Sequence, residues 1–341
     1  MTSTPPRIAI YGTGKYGCEV TRLALDKGWH VVAAFNRPGD KVGADLGRVA
    51  GLNSDLGVTV QDCENADYAL LDADIAVVAT TDRLRDNVVG FERLLGAGVN
   101  VLSHNTESYL PWAVDPALAK RIDEKARGAG VTFTGGGIWD MSRIWSGILA
   151  AGPCVDIRSL QHTSRTNLGV SKRVSNVAGI GFSHDRFRAE LIDQPGMIGE
   201  LYKLIPWQVA QALGYDVTEV VERREPVVFD TPVYAAGLGI DIAPGEPAGL
   251  RILVDVSTSQ GVSAHAHIEL RACHEDETDF MRWQVDGEPN STVHVDRQVG
   301  PPGSSASMIN RVRDVIAAAP GIQEVSKLGP PRHSANDRIT R

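Results

Sequence analysis

One loop of this 341-residue chain gathers side chains suited to acid–base chemistry: Ser103–Trp112, SHNTESYLPW, with Glu107 set among His104, Tyr109 and Trp112. A carboxylate near aromatic rings in a closed cleft loses solvation and becomes a better proton acceptor near neutral pH. The competing reading is a solvated loop glutamate, because surface glutamates are common. A second segment, Thr134–Trp145 (TGGGIWDMSRIW), places three consecutive glycines ahead of two tryptophans. Glycine leaves room for the chain to pass close to a ligand. Ile138, Trp139 and Trp145 are then candidates for the wall of an apolar substrate pocket. The same residues would serve a domain hinge and its core, and both roles fit a pocket at a domain interface.

A third stretch reads as a nucleotide site. Arg7–Gly17, RIAIYGTGKYG, is an apolar run followed by Gly12-x-Gly14-x-x-Gly17 and an amphipathic segment from Cys18 to Lys27. Gly12 lets the chain turn at the end of a strand. Gly14 lets backbone N–H groups approach a pyrophosphate, and Gly17 lets the helix pack near the sheet. Thr13, Lys15 and Tyr16 lie in the same turn and are read with it as cofactor contacts. The next run, HVVAAFNRPGD, ends in Asn36-Arg37. An NAD enzyme would carry an acid there, about 20 residues beyond the glycines, to hold the ribose 2′-OH. With that acid missing and a guanidinium present, NADP is favoured and use of NAD stays open.

The elements that must position these residues follow from periodicity. Asp74–Ala79, DIAVVA, is apolar throughout, as strands buried on both faces are. Helix patterns alternate with further short strands at Asn100–Ser103 and Val131–Phe133, and Asp115-Pro116 and Gly128/Gly130 bracket one helix. This rhythm predicts an α/β fold, a Rossmann doubly wound parallel sheet over residues 1–145. Ligands lie beyond the carboxyl ends of such strands, so Thr80, Thr81, His104 and Asn105 are expected at the cofactor. After about residue 150 the period changes. In Val262–Leu270 apolar residues alternate with Ser263, His265, His267 and Glu269. That period of two predicts a second α+β domain, 146–302, on an open, mainly antiparallel sheet for substrate binding and dimerisation. Residues 303–341 are expected to return a helix, Gly303–Ala319, to the Rossmann domain.

Composition narrows the partners. The net charge of −8 argues against nucleic acid, and no apolar run reaches a membrane-spanning length. The N-terminus lacks the apolar core of a signal peptide, so a cytoplasmic protein is expected. Cys18, Cys63, Cys154 and Cys273 show no metal spacing. His265-x-His267 is compatible with a metal but lacks further ligands, so none is expected. His162, Asn167 and His184 form a polar group expected to face the substrate cleft. The last ten residues have the composition of a disordered tail.

The chain resembles the dihydrodipicolinate-reductase-like superfamily, and within it the native amine dehydrogenases and 2,4-diaminopentanoate dehydrogenases. IAIYGTGKYG, NTESYLPW, GGGIWDMSRIW and VGPPGSSASMINRVRDVIAAAPGI carry the resemblance. It implies an NAD(P)-dependent enzyme, expected as a homodimer through its open sheet, that interconverts a primary amine with a carbonyl compound and ammonia, and it puts the catalytic carboxylate on Glu107. Dihydrodipicolinate reductase fits less well, because its basic, histidine-rich signature is missing. A diamine substrate would need a second acid, for which Asp140 is the candidate in the matching segments. Otherwise a small, mostly apolar ketone, aldehyde or amine is implied. An imine reductase indifferent to ammonia and a non-catalytic NADP sensor are the alternatives.

Overall fold

The computed structural model describes residues 4–194, 197–297 and 302–335. Expectations resting on Pro195, Pro301 or the tail beyond residue 335 lie outside them. The chain divides into two compact units, Met1–Asp140 with Gly300–Arg341, and Met141–Val299.

In the first unit, strands β1 (Arg7–Tyr11), β2 (His30–Asn36), β3 (Val60–Asp62), β4 (Ile75–Val78), β5 (Asn100–Ser103) and β6 (Thr132–Gly135) form a parallel sheet with the short strand Gly321–Ile322. Among the described residues the order is Gly321–Ile322, β6, β5, β4, β1, β2, β3. The chain runs outward from β1 to β3, then restarts at β4 on the other side of β1. That reversal opens a crevice at the carboxyl ends of β1 and β4, where such sheets hold ligands. β4 is buried at every residue, which its unbroken IAVV requires. Helices Leu84–Gly96 and Pro116–Ala129 cover one face with Phe91, Leu94, Leu95, Ile122 and Ala126. The other face is covered by α1 (Lys15–Asp26) and by helix Pro302–Ile316, through Val20, Ala24, Met308, Ile309, Val312 and Val315. The Asp115 carboxylate accepts the N–H groups of Ala117 and Leu118, and Gly130, at φ +71°, closes the same helix.

The second unit contains β7 (Asp156–Asn167), β8 (Val217–Val227), a small hairpin of β9 (Val233–Ala235) and β10 (Ile240–Ile242), then β11 (Gly249–Thr258), β12 (Ser263–Arg271), β13 (Asp279–Glu288) and β14 (Ser291–Arg297). Its large sheet runs β14, β13, β7, β12, β11, β8 among the described residues. Every pairing is antiparallel except β7 with β12. β7, first in the chain, is inserted between two later hairpins. Helices Ser146–Ala151 and Leu204–Ala212 pack on one face. Gly147 allows the close approach, since a Cβ there would stand 2.8 Å from the Trp283 ring. On the other face lie His265 and His267, as the alternation requires.

Candidate active site

The turn after β1 separates its three glycines by what a methyl group would meet. Gly12 has φ +98°, and a Cβ would stand 2.4 Å from the carbonyl oxygen of Ala79. At Gly17 the Cβ would lie 1.9 Å from the Gly12 oxygen. Both glycines are therefore demanded by the fold itself. Gly14 is different: its φ of −75° and ψ of −168° suit any residue, and among the described residues a Cβ would meet nothing within 4 Å. Gly14 is also the N-cap of α1, which has no side-chain cap and no acid in its first turn. Those bare N–H groups and the positive end of the helix dipole favour an anion. Lys15 and Tyr16, both exposed, begin the helix.

Thr13 is fully buried, and among the described residues its Oγ1 has no hydrogen-bond partner. Asn105, 1% exposed, likewise finds no partner among the described residues for either polar atom of its carboxamide. Buried polar atoms are normally satisfied, so these two residues, with the open space at Gly14, fit a polar ligand such as a dinucleotide. At the end of β2, Asn36 Oδ1 lies 3.4 Å from the Thr13 N–H, while Arg37 is exposed. The Lys41 ammonium donates to the Thr13 carbonyl. Sequence reasoning missed this second cation, although it lies only four residues beyond Arg37.

Thr80 and Thr81, both exposed, follow β4. Beyond β5 the chain makes a 3₁₀ turn, Thr106–Tyr109. Glu107 lies in it, half-buried, and its Oε2 accepts the N–H of Leu84, the first residue of helix Leu84–Gly96, at 2.6 Å. A carboxylate is well placed at a helix N-terminus. Among the described residues Oε1 has no hydrogen bond. The His104 ring packs against Tyr16 at a 31° tilt, centroids 4.5 Å apart, and its Nε2 lies 2.6 Å from Ser304 Oγ. Burial pushes the His104 imidazole below its usual pKa, so the ring is neutral at neutral pH. Ser304 comes from the last helix, and nothing in the local sequence links it to His104.

The glycine strap after β6 is tightly seated. A Cβ on Gly135 would stand 2.4 Å from the Ser108 carbonyl carbon, and Gly137 has φ +143° beside Ser304 and the Tyr109 hydroxyl. Tyr109 is buried, packs against the Trp139 ring with centroids 6.0 Å apart, and hydrogen-bonds to the backbone of Asp140 and Trp139. Ile138 and Trp139 are half-buried, and Trp112 is 38% exposed. Asp140 is not available to a substrate. Its carboxylate is fully buried in a two-pronged pair with Arg311, at 2.5 and 2.8 Å. Arg311 also donates to the carbonyl of Gly329 and to Asp314. This corrects the expectation of Asp140 as a counter-ion for a second ammonium.

Trp145, Asn167 and His184 belong to the second unit. Trp145 ends a π-helical turn, Asp140–Trp145, and is half-buried. The Asn167 side-chain oxygen accepts the Gly169 N–H, and His184 Nε2 lies 2.9 Å from the Gly245 carbonyl oxygen. His162 does not face a solvent cleft. It is fully buried within its unit, beside Trp283, with Nε2 3.0 Å from the Arg143 guanidinium. His265 is bound by Asp255 at 2.7 Å and Ser263 at 3.0 Å.

A parallel sheet with a glycine turn at its switch point, joined in one chain to a mixed sheet, defines the class of two-domain Rossmann oxidoreductases. Residues 147–340 match the family described as the 2,4-diaminopentanoate dehydrogenase C-terminal domain. The match covers more than half of the chain, which therefore belongs to that family and is an oxidoreductase of the amine dehydrogenase type. The 2,4-diaminopentanoate dehydrogenase of Acetoanaerobium sticklandii is 26% identical over 287 residues, 78% of this chain and 76% of that one. The structure of the amine dehydrogenase from Mycobacterium smegmatis superposes with a TM-score of 0.81 at 27% identity over 99% of each chain. A probable dehydrogenase from Thermotoga maritima, 14% identical over 94% of this chain and 92% of that one, shares the fold with a TM-score of 0.59.

Proposed function

We propose that this protein is an NAD(P)H-dependent amine dehydrogenase that reductively aminates a small ketone or aldehyde with ammonia, with Glu107 as the reacting carboxylate. The observation that carries this reading is the state of that side chain. One oxygen is fixed by the Leu84 N–H, and among the described residues the other has no hydrogen bond, in a turn that follows a strand of the nucleotide sheet. Ammonia is mostly ammonium at neutral pH and cannot attack a carbonyl in that form. Glu107 Oε1 takes a proton from ammonium, and the freed lone pair forms the C–N bond. Glu107 returns that proton to the departing hydroxyl, and loss of water leaves a cationic C=N group that the regenerated carboxylate stabilises. The nicotinamide, when bound, supplies the hydride that completes the reduction. In the reverse direction Glu107 accepts the proton of the primary amine. A neutral His104 adds no positive charge to compete with ammonium.

Thr13, Asn105, the α1 N-terminus and the Thr80–Thr81 turn would hold the dinucleotide. Arg37, with Lys41, supports NADP, and NAD use stays open. Because Asp140 is engaged by Arg311, a mostly apolar substrate with a single amine is favoured over a diamine. The homodimer belongs to this reading, and a light-scattering mass near the 36.6 kDa of one chain would remove it.

The test is NADPH oxidation with short ketones and aldehydes, with and without ammonium, for wild type and Glu107→Gln. Ammonium-dependent turnover that falls by about 10²–10⁴ in the variant is expected. Turnover indifferent to ammonium would move the protein to the imine or carbonyl reductases. Intact NADPH binding without turnover would favour a sensor. Arg37→Ala should raise the KM for NADPH far more than that for NADH, and equal effects would remove the 2′-phosphate role.

A further inference from the structure

Two loops at the carboxyl ends of β4 and β5 are bound together through Asp82. Its Oδ1 accepts the Thr106 hydroxyl at 2.8 Å and the Thr106 N–H at 3.3 Å. Its backbone carbonyl accepts the Glu107 N–H at 3.2 Å. Two residues further on, Leu84 gives its N–H to the Glu107 side chain at 2.6 Å. The short stretch 82–84 thus grips Glu107 twice, once by its backbone and once by its carboxylate.

Behind this stretch stands Asn87, 6% exposed on helix Leu84–Gly96. Its Nδ2 donates to the Arg83 carbonyl at 2.6 Å, the Thr81 carbonyl at 3.2 Å and the Thr81 hydroxyl at 3.0 Å. Its Oδ1 accepts the Thr80 hydroxyl. One buried carboxamide therefore ties the whole Thr80–Arg83 turn to the helix whose first N–H holds Glu107. A glutamate has several rotatable bonds, and a reacting group must be held within about 0.5 Å of its productive position. A displacement of about 1 Å can cost a hundredfold in rate.

We propose that Asp82 is a positioning residue for Glu107, with Asn87 as its buttress: the Asp82–Thr106 latch fixes the turn that aims the carboxylate. This rests on Glu107 being the reacting carboxylate. Neither residue is marked by a sequence motif, because the latch joins positions 24 residues apart.

The first test needs no substrate. Amide hydrogen exchange at Leu84 and Glu107 is followed in the full-length protein for Asp82→Ala, Asp82→Asn, Thr106→Val and Thr106→Ser. Asp82→Ala and Thr106→Val should speed exchange at both amides by about tenfold or more, a local opening rather than global unfolding. Asp82→Asn and Thr106→Ser, which keep an acceptor and a hydroxyl, should stay close to wild type. Wild-type exchange in both Asp82→Ala and Thr106→Val would overturn the latch.

The second test measures kcat with pentan-2-one, ammonium and NADPH. Asp82→Ala should lower kcat by about 10- to 100-fold, with the NADPH Kd little changed. Added to Glu107→Gln, it should lower the residual rate no further, since residues acting through one group are not additive. A Glu107→Gln variant as active as wild type would remove the parent reading. An inactive Glu107→Gln variant beside an Asp82→Ala variant of wild-type kcat would remove the latch alone.

Discussion

Replacing Gly14 by alanine separates what the fold needs from what a ligand needs. Among the described residues the new Cβ would meet nothing within 4 Å, and the backbone at φ −75°, ψ −168° accepts alanine without strain. Alanine is the poorer N-cap, by up to about 1 kcal/mol. The restricted unfolded chain returns about 0.4–1 kcal/mol. The net effect should stay below about 1 kcal/mol, which shifts Tm by roughly 3 °C or less in a chain of this size. The methyl nevertheless enters the space in front of the bare N–H groups of α1. A pyrophosphate pressed against that backbone would be displaced, and a loss of about 1.4–2.8 kcal/mol corresponds to a 10- to 100-fold rise in Kd. The neighbouring glycines behave oppositely. Gly12→Ala and Gly17→Ala drive a Cβ to 2.4 and 1.9 Å from backbone oxygens and should unfold the first unit well below the wild-type Tm. Thermal melts paired with NADPH fluorescence titrations measure both quantities. Wild-type NADPH affinity in Gly14→Ala would refute the argument, as would a Tm drop comparable with that of Gly17→Ala.

The Glu107 side chain is both helix cap and proposed base, and substitutions should split the two roles. Glu107→Gln keeps an oxygen for the Leu84 N–H and should cost little stability, whereas Glu107→Ala should cost about 0.5–2 kcal/mol by chemical denaturation; equal stabilities would show that the cap contributes nothing. Removing Asp140 takes the two-pronged partner from the buried Arg311 guanidinium and leaves it Asp314 alone among the described carboxylates, so Asp140→Ala should destabilise by about 3 kcal/mol, and a loss under about 1 kcal/mol would contradict the burial. His104 and His162 have pKa values pushed below 6.5 by burial. Below pH 6.5 the unfolded chain therefore binds more protons than the native one, and stability, complete above that pH, is lost as the pH falls. Tm should decline from pH 7 to pH 5, less steeply in His162→Gln, and an identical slope in that variant would exclude His162 as a source.

What the sequence disclosed was local. The glycine turn, the Asp115-Pro116 start and Gly130 stop of one helix, and the alternation in Val262–Leu270 are written within a few neighbouring residues, and each took the predicted form, the last as strand Ser263–Arg271. Alternation fixes which residues share a face but not which strand lies beside them. The parallel pairing of β7 with β12 was therefore invisible, and the sequence alone could not put His162 on its buried face. The site shows the same limit. Glu107 could be singled out from its loop, but its anchor at Leu84, the latch at Asp82 and the Ser304 contact of His104 join residues with no common pattern. Asp140 looked free because its partner Arg311 lies 171 residues downstream.

That separation sets an order of events during synthesis. At roughly 5–20 residues per second, Arg311 follows Asp140 from the ribosome by about 10–30 s. Throughout that interval the nucleotide sheet lacks the helix bearing Met308, Ile309, Val312 and Val315, and its Asp140 lacks a counter-ion. Residues 141–299 are contiguous and need not wait. The half of the molecule that begins first is thus finished last, and a nascent chain halted near residue 300 would present to chaperones an apolar sheet face that the mature protein never exposes.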